Sequence, residues 1–115
     1  MKKVIVIPDS FKGTMSSKEV CETMALAIQN QKKDIEVISI PVADGGEGSV
    51  EAFLSALQGE KVWCSVKGPF FEEMDAFYGR IGEDTAVVEM AACAGLPLVE
   101  GRANPMFTTT YGVGD

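Results

Sequence analysis

Two short stretches hold most of the residues in this chain that could do chemistry. The first is Pro8-Asp9-Ser10-Phe11-Lys12-Gly13, which follows the apolar, β-branched run Val4 to Ile7. The second is Asp44-Gly45-Gly46-Glu47-Gly48, which follows Ile35 to Ile40 and Pro41. In parallel α/β sheets, ligands bind beyond the carboxyl ends of strands, where loops lead into helix N-termini. If the two apolar runs are neighbouring strands, both loops open at one edge, and Asp9, Lys12, Asp44 and Glu47 come within reach of one small ligand. Lys12 offers a point positive charge to a carboxylate or a transferring phosphoryl group. Gly45, Gly46 and Gly48 let the backbone approach an anion closely and present amides at a helix start. Asp44 or Glu47 could hold a magnesium ion or accept a hydroxyl proton. Carboxylates beside glycine-exposed amides suit phosphoryl transfer, where positioning and charge compensation dominate.

Each position also has a plainer explanation. Asp44-x-x-Glu47 fits a helix capping box, although Gly45 and Gly46 would weaken a first helical turn. Lys12 could be a solvated loop lysine, and Asp9 and Ser10 could form a turn after Pro8. Near the end, Thr108-Thr109-Thr110-Tyr111-Gly112-Val113-Gly114-Asp115 resembles a loop about to open a helix. By itself Gly112-Val113-Gly114 is a weak phosphate signal, and the threonines could equally form an edge strand. Neither a Walker pattern nor a full dinucleotide fingerprint is present.

Composition narrows the classes. The 115 residues carry 10 Lys plus Arg against 17 Asp plus Glu, a net charge of -7. That balance argues against nucleic acid or an anionic membrane as partner, since both select basic surfaces. An anionic substrate would need local positive potential instead. The chain has no His, which removes Ser-His and Cys-His nucleophile schemes and leaves Asp, Glu, Lys or Tyr as general base. Cys21, Cys64 and Cys93 are widely spaced in apolar surroundings and read as buried reduced thiols. The apolar part of the N-terminus is too short for a signal peptide, and no run is long enough to span a membrane. A cytoplasmic location is the expectation.

These residues need elements to hold them. Val4 to Ile7 predicts a strand covered on both faces. Ser16 and Glu19 have capping-box spacing, and Val20, Met24, Ala27 and Ile28 recur as the stripe of a helix ending near Gln31. Ile35 to Ile40 predicts a second strand, and Val50, Phe53, Leu54 and Leu57 a second helix. The β-α-β-α order predicts a parallel sheet with covering helices. Three further strands are expected over 61–66, 76–81 and 85–89, then a short helix over 90–94. The fold class is therefore α/β: a mainly parallel sheet with helices on both faces, followed by a strand-rich segment. The turn at 108–115 with no helix behind it suggests a truncated chain or a domain fragment.

Taken together, PDSFKGTMSS (8–17), PVADGGEGSVEAF (41–53), VVEMAACAGLPLV (87–99) and NPMFTTTYGVGD (104–115) resemble, in order, the glycerate kinase family of the type-one bacterial class. The resemblance runs over the whole chain and corresponds to the N-terminal portion of that family's longer, two-domain α/β proteins. It implies a division into 1–66, the N-terminal part of the first α/β domain, and 67–115, a strand-rich linker and the start of a second, inserted domain that is truncated here. It implies ATP-dependent phosphorylation of D-glycerate with Mg2+, favouring 2-phosphoglycerate and leaving 3-phosphoglycerate open. Transferred position by position, it implies Lys12, Asp44 and Asp9 as catalytic, with Asp44 also the metal ligand. It implies Ser10, Gly13, Gly45, Gly46, Glu47 and Gly48 as substrate-binding, and Thr108, Thr109, Thr110, Gly112 and Gly114 as phosphate- or nucleotide-binding. The general base stays open. Ser49 stands where the family pattern suggests Thr, and Cys93 where Ala or Ser is commoner. The resemblance also implies that residues beyond this chain complete the site, so the chain alone is expected to be inactive. Exposed apolar surface would then favour a homodimer. The alternatives are a non-catalytic fragment and a small α/β sugar-acid binding module.

Overall fold

The structure, a computed structural model, describes residues 2–115. The chain divides into two compact units, residues 1–44 and 45–115.

In the first unit, β1 (Lys2–Val6) and β2 (Ile35–Ser39) form a parallel pair, joined by α1 (Ser17–Gln31). Val4 lies opposite Val37 and Ile5 opposite Ile38, so the β-branched runs pair directly, as such residues prefer. The Ile40 amide donates to the Val6 carbonyl at 2.9 Å and carries the pairing one step past the strands. Lys3 and Glu36, register partners, form an ion pair at 3.3 Å. α1 begins with the capping box expected from Ser16 and Glu19. The Ser16 Oγ accepts from the Glu19 amide, and the Glu19 carboxylate accepts from the Ser16 amide. The helix rests on β1 and β2 through a narrower stripe than the spacing predicts. Val20 and Cys21 are buried, Ala25 and Ile28 half-buried, and Met24 and Ala27 exposed. Two strands offer little breadth, so only the innermost line of the helix finds cover.

The hydrogen bond from the Ser16 amide is the main reason the Glu19 carboxyl lies below the usual carboxylate range. A depressed folded value contributes stability that is present above the unfolded pKa and lost as pH falls through the folded one. Glu19→Gln is therefore expected to flatten the acid limb of stability. The check is urea midpoints between about pH 6 and about pH 3.

The second unit holds α2 (Ser49–Leu57) and an antiparallel sheet of β3 (Glu60–Lys67), β4 (Glu73–Ile81) and β5 (Thr85–Val87). It also holds α3 (Ala91–Ala94) and two short 3-10 turns, Leu96–Val99 and Tyr111–Val113. β4 starts three residues before the expected Ala76, because pairing runs on through Lys67 opposite Glu73. The core gathers Val66, Ala76 and Cys93, with Cys64, Met74, Ala92 and Val113 packed around them. α2 lies on β4, where Gly79 leaves room: a Cβ there would meet Leu54 Cδ2 at 3.0 Å and Val50 Cγ1 at 3.2 Å. A parallel sheet is thus present, but it has two strands, and the larger sheet is antiparallel.

All three cysteines are free, Cys21 and Cys93 buried and Cys64 half-buried. Burial pushes the Cys21 and Cys93 thiols up, away from the reactive thiolate. Among the described residues, no helix is long and apolar enough to cross a membrane.

Candidate functional site

The parallel pairing of β1 and β2 sends both following loops out from the same edge of that sheet. Asp9, Ser10, Lys12 and Gly13 lie on the first loop, and Asp44 ends the second. The first loop closes as a tight turn. Phe11 and Met15 bridge each other, and the Thr14 amide donates to the Phe11 carbonyl at 2.8 Å. Lys12 and Gly13 form the exposed tip, and Gly13 has φ +73°, a left-handed conformation that suits glycine. Asp9 is committed locally, its Oδ1 accepting from the Ser10 amide at 2.7 Å.

One residue holds the two loops to each other. The Ser17 hydroxyl donates to the Pro8 carbonyl at 2.7 Å and accepts from the Val42 amide at 2.9 Å. Sequence reasoning passed over Ser17 because it reads as an ordinary first-turn serine beside the Ser16 cap. Ser17→Ala would leave the half-buried Val42 amide without its acceptor. The expected cost is about 1–2 kcal/mol in urea unfolding, with broadened amide resonances at Asp9–Gly13 and Val42–Asp44.

The acidic glycine motif is divided: Asp44 closes the first unit and Gly45 opens the second. Asp44 and Glu47 are exposed. The capping box considered for Asp44 and Glu47 does not form. Gly48 is the N-cap of α2, with φ +88°, and Gly45 has φ +96°. These left-handed glycines make residues 45–48 a turned loop and delay the helix to Ser49. The Ser49 hydroxyl and amide both donate to the Gly46 carbonyl, at 2.7 and 3.2 Å.

The cap comes from far along the chain. Glu89, 5 % exposed, accepts from the Gly48 amide on Oε1 at 3.2 Å and from the Val50 amide on Oε2 at 3.0 Å. A carboxylate buried in an apolar stretch needs such partners. The solitary Glu inside VVEMAACAGL was the signal that could have found it.

The threonine-glycine motif lies wholly in the second unit. The Thr108 hydroxyl donates to the Asn104 carbonyl at 3.3 Å. The Thr109 amide donates to the Pro69 carbonyl at 2.9 Å, and Thr109 Oγ1 accepts from the Tyr111 amide at 3.1 Å. Thr110 is exposed and precedes the Tyr111–Val113 turn, whose Tyr111 ring lies 5.6 Å from that of Phe71. Gly112 is buried against the Lys67 backbone, and the Gly114 amide donates to the Tyr111 carbonyl at 3.0 Å. Gly112, Val113 and Asp115 share with Glu89, Tyr78 and Cys93 the lining of a cavity of about 270 Å³. The cap of α2 and the end of this motif therefore face one space.

The family model described as "Glycerate kinase family" matches residues 4–115. A glycerate 2-kinase of Escherichia coli (strain K12) is 40% identical over 115 residues, covering 98% of this chain and 30% of that protein. A glycerate kinase of Haemophilus influenzae is 37% identical with the same coverage. A crystal structure ascribed to glycerate kinase 2 of Salmonella typhimurium LT2 superposes with a TM-score of 0.74 at 37% identity, over 98% of this chain and 31% of that one. The chain thus spans about 30% of the length of the curated relatives it matches, and over that span it belongs to the glycerate kinase family.

Proposed function

We propose that this chain supplies part of the site of an ATP-dependent kinase that converts D-glycerate to 2-phosphoglycerate. The observation that carries the reading is the pair of loops at one edge of the β1–β2 sheet, tied by Ser17, in a chain whose relatives are named glycerate kinases. The name of the Escherichia coli relative, a glycerate 2-kinase, favours the 2-hydroxyl over the 3-hydroxyl.

In this reading the 2-hydroxyl oxygen forms a bond to the γ-phosphorus, the bond from that phosphorus to the β–γ bridging oxygen breaks, and ADP leaves. Lys12 offsets the negative charge of glycerate and of the moving phosphoryl group, work that electrostatics dominates in this reaction class. Asp9 and Ser10 orient the substrate, with Gly13 allowing the turn that brings them forward. Gly45, Gly46 and Glu47 line the substrate on the other loop, backed by Gly48, whose amide is held by Glu89, and Asp44 receives the hydroxyl proton or holds a magnesium ion. Among the described residues no group of three or more Asp, Glu, Cys or His side chains is assembled. Asp44 would therefore hold Mg2+ together with nucleotide oxygens and water, the coordination this ion ordinarily takes. When bound, the ion would offset phosphate charge. Thr108, Thr109, Thr110, Gly112 and Gly114 contribute to the nucleotide side. Exposed Ile5, Ile7 and Leu26 support a homodimer as part of the same proposal, which sedimentation of the chain at two concentrations reads directly.

The test is ATP turnover coupled to ADP release, with D-glycerate and magnesium. It is run on this chain and on the chain extended by the portion of the Escherichia coli relative that follows its matching stretch. Glycerate-dependent turnover in the extended protein supports the reading. Its absence in a folded extended protein favours a sugar-acid binding or structural role.

A further inference from the structure

We infer that Glu89 is a positioning residue for the Asp44–Gly48 loop, an inference that rests on the phosphoryl-transfer reading above. The first amides of a helix have no partner inside it, and α2 cannot cap itself because its N-cap, Gly48, has no side chain. Glu89 fills that place with one oxygen on the Gly48 amide and the other on the Val50 amide. Its charge also meets the positive end of the helix dipole away from water, where both interactions strengthen. Between these two anchors, Ser49 grips the Gly46 carbonyl by hydroxyl and amide. The chain from Gly46 to Val50 is thereby locked, and with it the downstream end of the loop that carries the acidic glycine motif.

Two consequences follow. The amides of Gly48 and Val50 already hold a carboxylate, so an anionic ligand does not bind through them. The α2 N-terminus is a clamp on the loop, and ligand contacts come from the loop ahead of it. Glu89 also lines the cavity that takes in Gly112 and Asp115, so release of the clamp is felt where the threonine-glycine motif ends.

Glu89→Gln tests this with little change of shape. The Gln oxygen accepts from one amide, while its NH2 faces the other amide donor to donor. Hydrogen exchange at Gly48 and Val50 in the 115-residue chain is expected to speed up by about tenfold or more. In the extended protein the KM for D-glycerate is expected to rise about tenfold or more while kcat per folded molecule stays within about threefold. Glu89→Asp, which keeps the charge on a shorter arm, is expected to recover part of the KM, and it decides the matter should Glu89→Gln not fold. A purely structural role lowers the folded fraction and leaves KM alone. An unchanged KM in whichever variant folds, with amide protection lost, therefore overturns the inference. Absence of turnover in the unmutated extended protein is a separate result that overturns the functional reading, and this inference with it.

Discussion

Replacing Lys12 by Ala is expected to lower kcat/KM for D-glycerate by about 10²-fold or more in the extended protein, with no loss of stability. The stability half follows from placement: Lys12 is exposed at the tip of the Phe11–Thr14 turn, whose hydrogen bonds are all main-chain. The activity half follows from charge. The chain carries a net charge of -7, while glycerate and ATP are both anions, so a nearby cation at the sheet edge acts against an unfavourable background. The effect should fall mainly on kcat, because the charge that Lys12 meets grows as the phosphoryl group moves. Lys12→Arg keeps the charge but not the compact ammonium and is expected to retain an intermediate activity. Activity of Lys12→Ala within about threefold of the parent would return Lys12 to the status of a solvated loop lysine.

The second large effect concerns stability. Gly112→Ala is expected to cost about 3 kcal/mol or more in urea unfolding. A Cβ at this position would stand 1.8 Å from the Lys67 carbonyl oxygen and 2.9 Å from its carbon. Those atoms belong to the last residue of β3, paired with Glu73 across the sheet, so neither can step aside without breaking the ladder. Relief has to come from moving the Tyr111–Val113 turn, which would draw Val113 away from the core around Val66, Ala76 and Cys93. Gly114→Ala is the control: its Cβ would find nothing closer than 3.8 Å, and its effect should stay within about 0.5 kcal/mol. Equal effects at the two positions would contradict the packing reason given for Gly112. The pair also separates roles within the motif, since a loss of ATP affinity in a stable Gly114→Ala protein would be functional.

What was legible in the sequence was what neighbours decide. The strand before Pro8, the Ser16–Glu19 capping box and the end of α1 at Gln31 all rest on contacts within a few residues, and the structure has them. But β1 is Lys2–Val6 and is not covered on both faces, since Ile5 is exposed. The stripe on α1 was read too wide, because exposure of Met24 depends on how many strands lie beneath the helix. The extra residues of β4 are Glu73, Met74 and Asp75, whose types do not advertise a strand; their pairing is imposed by the hairpin register. At the candidate site, the two loops and their common edge followed from the β-α-β order. Ser17 and Glu89 did not, since their partners lie 25 and about 40 residues away. The capping box at Asp44 and Glu47 was a reasonable local reading, displaced by two left-handed glycines and a carboxylate from a distant segment.

The most direct test of the central claim is glycerate-dependent ADP release with magnesium, measured side by side on the chain and on its extended form, with product phosphate position read by 31P NMR. The account predicts turnover in the extended protein, little or none in the chain alone, and phosphate on the 2-hydroxyl. A folded extended protein that binds ATP and D-glycerate yet releases no ADP above background would contradict it.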